Sequence, residues 1–281
     1  MFEVSGTFLE TLGGDHAPRA CESLLYASVL LADHLDRGGP DGAQGDGGEG
    51  KDAAEEPELR ARLGRLVRAL DLSFLRHKRS LGEVLARKIG GHLPWLQYEL
   101  ACQRGDAAEA LRLLLELRTL SEDPGRFIRM ASRADLLRGP EAAAVKASAL
   151  GIALKCFQGA PGPPDNEGVA FCLRNLVELR QTDREGLGVC SQALEVLRGL
   201  PAGEYPEEEV EWLATTAWNR GVQLHRFGEG ESARQWMSLG LELFPHCGEG
   251  WRGRNEVGKY NKYYEEAQQG GRPVAAAVEG C

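Results

Sequence analysis

Three groups of residues could carry chemistry: a glycine-rich run ending in lysine, seven cysteines and six histidines. The run Gly45-Asp46-Gly47-Gly48-Glu49-Gly50-Lys51 has the glycines and the lysine of a phosphate loop. In such a loop backbone N–H groups cradle phosphate oxygens, and a Ser or Thr after the lysine holds magnesium. Asp52 stands at that place, no strand-like stretch precedes the run, and the nearby carboxylates would repel phosphate. Nucleotide binding is therefore not expected. The histidines, at 16, 34, 77, 92, 225 and 246, include one His-Cys neighbour pair, His246-Cys247. No second pair follows at the spacing that a tetrahedral zinc site uses, so no metal site is expected. The cysteines, at 21, 102, 156, 172, 190, 247 and 281, are odd in number and include no C-x-x-C. They read as reduced thiols that fill small core spaces, not as a disulfide framework. No G-x-S-x-G elbow is present. The residue types thus predict no catalytic residue, no cofactor and no enzyme.

One charged stretch stands out. Residues 58–90 hold nine Lys or Arg against three Asp or Glu, densest at Arg76-His77-Lys78-Arg79. Such a run is a solvated helix face or a contact for an acidic protein or DNA. Its one interleaved aromatic residue is Phe74, too few for stacking single-stranded bases. The whole chain carries a net charge of −9, which argues against binding a phosphate backbone along its length. No apolar run approaches the roughly 18 residues of a membrane span. The first residues lack a signal peptide's basic and apolar regions, and the terminal VEGC is not a prenylation box. Reduced cysteines and no membrane segment point to the cytosol or nucleus.

The elements that must position these residues are helices. Leu, Ala, Glu and Arg dominate the periodic stretches, and no long apolar–polar alternation supports strands. A first helix is expected from about Pro18 to Asp36, with Leu24, Leu25, Ser28, Leu31 and Leu35 on one stripe. A Gly/acid segment, residues 38–57, cannot bury enough apolar surface to offset its chain entropy, which predicts a disordered loop. Helical periodicity resumes near Glu58 and runs to about Ile89, where Gly90-Gly91 is expected to end it. Helix pairs then follow: Leu93 to Gln103 with Ala107 to Leu120, Phe127 to Leu137 with Glu141 to Phe157, and Gly168 to Gln181 with Gly186 to Leu200. The last pair is Glu207 to Phe227 with Glu229 to Phe244, before a short helix over Val257 to Gln268 and a flexible tail, 269–281. Helices separated by short Gly/Pro breaks predict an all-α fold, an α-solenoid of antiparallel helix pairs across 58–268.

The pairs resemble tetratricopeptide units of about 34 residues, with small residues where two helices cross. In AWNRGVQLHRFGEGESARQWMSLGLELFP, Gly221 takes the small position of the first helix and Leu224 the large one after it. Gly228 makes the turn, Ala233 and Gly240 are the small positions of the second helix, and Pro245 terminates it. A second copy, PWLQYELACQRGDAAEALRLLLELRTL, has Trp95, the turn Gly105-Asp106 and Ala110, but puts Tyr98 where a small residue is expected. Trp212 and Trp218 are six residues apart, roughly 120° around a helix. One of them should face its own partner helix and the other the preceding pair.

The segment from Tyr205 to Phe244 also resembles the C-terminal region of the meiotic tetratricopeptide scaffold family. That family includes the yeast Zip-four/Spo-twenty-two protein, its plant counterparts and mammalian testis-expressed eleven. The resemblance rests on the acidic lead-in Glu209-Val210-Glu211 before Trp212, on Ala217-Trp218-Asn219 with Gly221, and on Ala233 with Trp236. It covers about 40 residues closely, and the family's members are much longer. It implies a nuclear scaffold on meiotic chromosomes that holds crossover-promoting proteins together and aids synapsis. On this reading Trp212, Trp218, Gly221, Leu224, Ala233, Trp236 and Gly240 pack the repeat, and Asn219, Arg220 and Gln223 are candidates to meet a protein partner. Without the resemblance the same pairs describe a general tetratricopeptide adaptor or co-chaperone-like module, or a helical regulatory domain of a larger enzyme.

Overall fold

Short polar residues mark four of the helix starts. Asp106 accepts a hydrogen bond from the Glu109 N–H (3.0 Å), Asp123 from Gly125 (3.0 Å), Asp165 from Gly168 (2.8 Å) and Thr182 from Glu185 (3.4 Å). Each satisfies a donor that the first turn leaves without an intrahelical partner. A computed structural model describes residues 17–37, 52–79, 81–180, 182–201 and 203–269. Among them are eleven α-helices and no strand, so the chain is all-α. The chain divides into two compact units, residues 1–149 and 150–281.

In the first unit α1 (Ala17–Arg37) and α2 (Asp52–His77) pack on each other and on α3 (Glu83–Arg104). Cys21, Leu24, Leu25 and Ala32 of α1 meet Leu63, Val67, Leu70 and Phe74 of α2 and Ile89, Leu93, Leu96 and Leu100 of α3 in one buried cluster. Those spacings put each set on a single helical stripe. The segment 38–51 lies outside the described residues, and with it the phosphate-loop-like run. Residues 52–57, expected to belong to the loop, form the start of α2.

A second boundary also moves. Gly90-Gly91 does not end a helix. One helix ends earlier, at His77, and α3, which starts at Glu83, runs through both glycines and through Pro94. Glycine costs about 1 kcal/mol in a helix interior and proline more. Burying Ile89, Leu93, Leu96 and Leu100 against two neighbouring helices offsets that local cost. Arg126 donates to the Gly91 carbonyl at 3.4 Å, beside the place where Pro94 offers no N–H.

Helix α3 turns at Gly105 (φ +75°), a left-handed position that suits glycine, and pairs with α4 (Ala107–Arg118). Tyr98 fills its position completely. It is fully buried, and its hydroxyl donates to the Met130 carbonyl at 2.7 Å. Met130 lies on α5 (Pro124–Arg133), which a 3₁₀ turn, Ala134–Leu136, links towards α6 (Pro140–Gly159). Glu99 is nearly fully buried, and Arg133 meets its carboxylate at 3.1 Å.

The second unit holds α7 (Asn166–Leu179), α8 (Asp183–Gly199), α9 (Glu207–Arg226), α10 (Gly230–Leu243) and α11 (Val257–Gln268). Helices α7 and α8 pair, α9 and α10 pair, and the pairs stack with α9 beside α7 and α10 beside α8. Helix α11 then packs on α10. This is a repeat-like arrangement in which each pair buries its apolar stripes against its neighbours. The tail, from 270 onwards, lies outside the described residues.

Candidate protein-binding hairpin

Helices α9 and α10 cross at two glycines that face each other's backbone. A Cβ at Gly221 would lie 2.6 Å from Met237 Cγ, 2.8 Å from Met237 N and 3.0 Å from Ala233 O. On the other helix of the hairpin a Cβ at Gly240 would lie 3.1 Å from Trp218 N and 3.2 Å from Trp218 Cα. Residue 221 thus meets 233 and 237 while 218 meets 240, the register of an antiparallel pair. Val210, Leu213, Ala217 and Leu224 complete the buried stripe of α9, and Ala233, Trp236, Met237 and Leu243 that of α10. The turn between them uses Gly228 at φ +83°. Pro245 sits inside a closing 3₁₀ turn, Phe244–His246.

The two tryptophans of α9 face different ways. Trp218 is 3% exposed and packs its ring against Tyr260 (4.8 Å between centroids), Phe244 (5.9 Å) and Tyr263 (6.1 Å). It therefore joins its own hairpin to α11. Trp212 is half-buried on the side of the preceding pair, where the Arg174 guanidinium of α7 stands 4.7 Å over its ring. Arg174 is held there by Glu209, one residue of the acidic lead-in, at 2.9 Å. Trp236 is also buried, against the backbone of α8: a Cβ at Gly186 would lie 3.3 Å from its ring. The indole nitrogens of Trp218 and Trp236 find no acceptor among the described residues, so both rings act as apolar bodies.

The acidic lead-in has a local cause as well. Glu207, Glu208 and Glu209 occupy the first turn of α9, where the helix dipole favours negative charge. Pro206 is its N-cap.

Of the candidate partner-facing residues, Asn219 and Gln223 are exposed on α9. Arg220 is half-buried and committed within the fold. Its Nε donates to Asp183 at the start of α8, and its Nη1 to Gln223 Oε1 at 2.6 Å. The ion pair between α9 and α8 was not expected from the sequence, because Asp183 and Arg220 are 37 residues apart. Nor was the aromatic cluster beyond Pro245. Trp251 stacks on Phe244 at 4.7 Å, and Tyr260 contacts both. The density of aromatic residues from Phe244 to Tyr264 is the signal that could have found it.

The thiols fit a packing role. Burial pushes Cys102, Cys172, Cys190 and Cys247 up to about 12, so they stay protonated at neutral pH. None of the described cysteines forms a disulfide. Among the described residues no group of three His, Cys, Asp or Glu could hold a metal ion. No described helix is long and apolar enough to cross a membrane. No protein-family model matches the chain, and no solved structure does.

Proposed function

We propose that this chain is a protein-binding scaffold of meiotic chromosomes that gathers crossover-promoting proteins and supports synapsis. The observation that carries the reading is the segment 205–244. Its acidic lead-in, its tryptophans and its small residues, which carry the resemblance to the meiotic scaffold family, coincide with one closely crossed hairpin. A stacked-pair architecture suits such work, because it displays long helix faces without needing a cleft that closes. The exposed Asn219 and Gln223 offer hydrogen-bonding groups on the outer face of α9, and Arg220 steadies that face through Asp183. The reading assigns the chain no catalytic step and no cofactor, and places it in the nucleus.

The test has two arms. The tagged chain, expressed in meiotic cells, is localised on spread chromosomes. Foci along the chromosome axes are expected, and a diffuse signal outside the nucleus refutes the chromosomal role in favour of a general adaptor. Purified chain is then used to capture purified crossover-promoting proteins, with wild type compared with Asn219→Ala/Gln223→Ala. Weakened capture is expected. Undiminished capture moves the recognition surface away from α9.

A further inference from the structure

The outward face of α2 is a cationic stripe with two leucines set into it. Arg65, Arg68, Leu72, Leu75 and Arg76 span about 100° of the helix at the usual helical pitch. They lie opposite Leu63, Val67, Leu70 and Phe74, the side that packs on α1 and α3. Arg79 extends the stripe in the turn after the helix. Leu72 is 54% and Leu75 66% exposed. Arg65 meets Glu58 in an ion pair whose two side chains are both largely exposed, at 2.8 Å. Arg68, Arg76 and Arg79 meet no carboxylate among the described residues.

A single exposed leucine on a helix is ordinary. Two of them one turn apart, framed by arginines, combine apolar area with charge in one strip. The sign matters: this cationic strip sits in a chain of net charge −9, so its charge is segregated and not part of a general basic surface. The complementary ligand carries carboxylates and apolar side chains together. Nucleic acid would satisfy the arginines but has nothing for the leucine pair, and α2 offers no exposed aromatic ring for a base to stack on. We propose that this face docks an acidic amphipathic helix of another protein. Its carboxylates meet Arg65, Arg68, Arg76 and Arg79, and its leucine-type side chains cover Leu72 and Leu75. The assignment is independent of the chromosomal role.

The test uses the full chain and three fluorescent probes. One is a short synthetic peptide with Glu on one helical face and Leu at i, i+3 and i+4 spacing. The second has every Leu replaced by Ser, and the third is a short DNA duplex. Wild type is expected to bind the Glu/Leu peptide tighter than either control. Arg68→Glu/Arg76→Glu and, separately, Leu72→Ser/Leu75→Ser should each weaken it at least about tenfold. Circular dichroism should be unchanged for both, since the replaced side chains are exposed. Equal binding of the Leu-free peptide, or unaltered binding by the leucine variant, overturns the proposal. So does a duplex that binds tightest and responds only to the arginine variant, which would make the face a nucleic-acid surface. Absence of binding by all three probes overturns it as well.

Discussion

Replacing Gly221 by alanine should destabilise the α9–α10 hairpin, although alanine is the better helix former. The added Cβ would stand 2.6 Å from Met237 Cγ, 2.8 Å from Met237 N and 3.0 Å from Ala233 O. The thioether chain could swing aside, but the two backbone atoms cannot, so the helices must separate by several tenths of an ångström. Overpacking of that kind costs about 1–3 kcal/mol, against which alanine recovers about 1 kcal/mol of helix propensity. Gly188 is the internal control. It lies in α8, it is exposed, and nothing is within 4 Å of its Cβ position. Gly188→Ala should therefore gain up to about 1 kcal/mol. Gly240→Ala, with its nearest neighbour at 3.1 Å, should fall between the two. Thermal unfolding ranks the three, at about 2–4 °C per kcal/mol for a chain of this size class. Hydrogen exchange across 207–243 then locates the loss for Gly221→Ala. If Gly221→Ala and Gly188→Ala melt together above wild type, the close crossing does not exist and the repeat register assigned here is wrong.

Other outcomes follow from single contacts. Asp183→Asn should cost no more than about 1 kcal/mol in urea unfolding, because the Arg220 pair is partly solvated, yet Arg220→Ala should cost about as much and the double variant little more. Tyr98→Phe removes a buried donor to the Met130 carbonyl and should lower stability by about 1–2 kcal/mol; a loss near zero would mean that the hydroxyl is not bonded there. Cys102, Cys172, Cys190 and Cys247 should resist alkylation at neutral pH until the chain is unfolded, and prompt labelling of all four would contradict their burial. The same thiols set an alkaline limit. Their folded values are raised to about 12 from an ordinary 9.0, so their contribution is intact below pH 9 and lost as pH rises from there through 12. The melting temperature should fall over that window, and Cys190→Ala should make the fall shallower.

The amino-acid sequence by itself determined the class of fold and most element limits. Helices α1, α9 and α11 stand within a residue or so of where their stripes and breaks predicted them. Local causes act there: apolar residues at helical spacing, the acidic first turn of α9 and the turn at Gly228 all work through neighbours in the chain. The small positions Gly221, Ala233 and Gly240 were legible for the same reason, since a fixed offset within one hairpin places them opposite each other. Tertiary structure alone decided the fate of Gly90-Gly91 and Pro94. Their local propensity says stop, but Ile89, Leu93, Leu96 and Leu100 bury against α1 and α2, and that gain is visible only once distant helices are in place. It also decided that Arg220 would be tied to Asp183, that Arg174 would cover Trp212, and that the aromatic residues after Pro245 would close over Trp218. Each of these joins residues far apart in the chain. A periodicity reports which face of a helix is apolar, and it carries no information about which other face arrives to meet it.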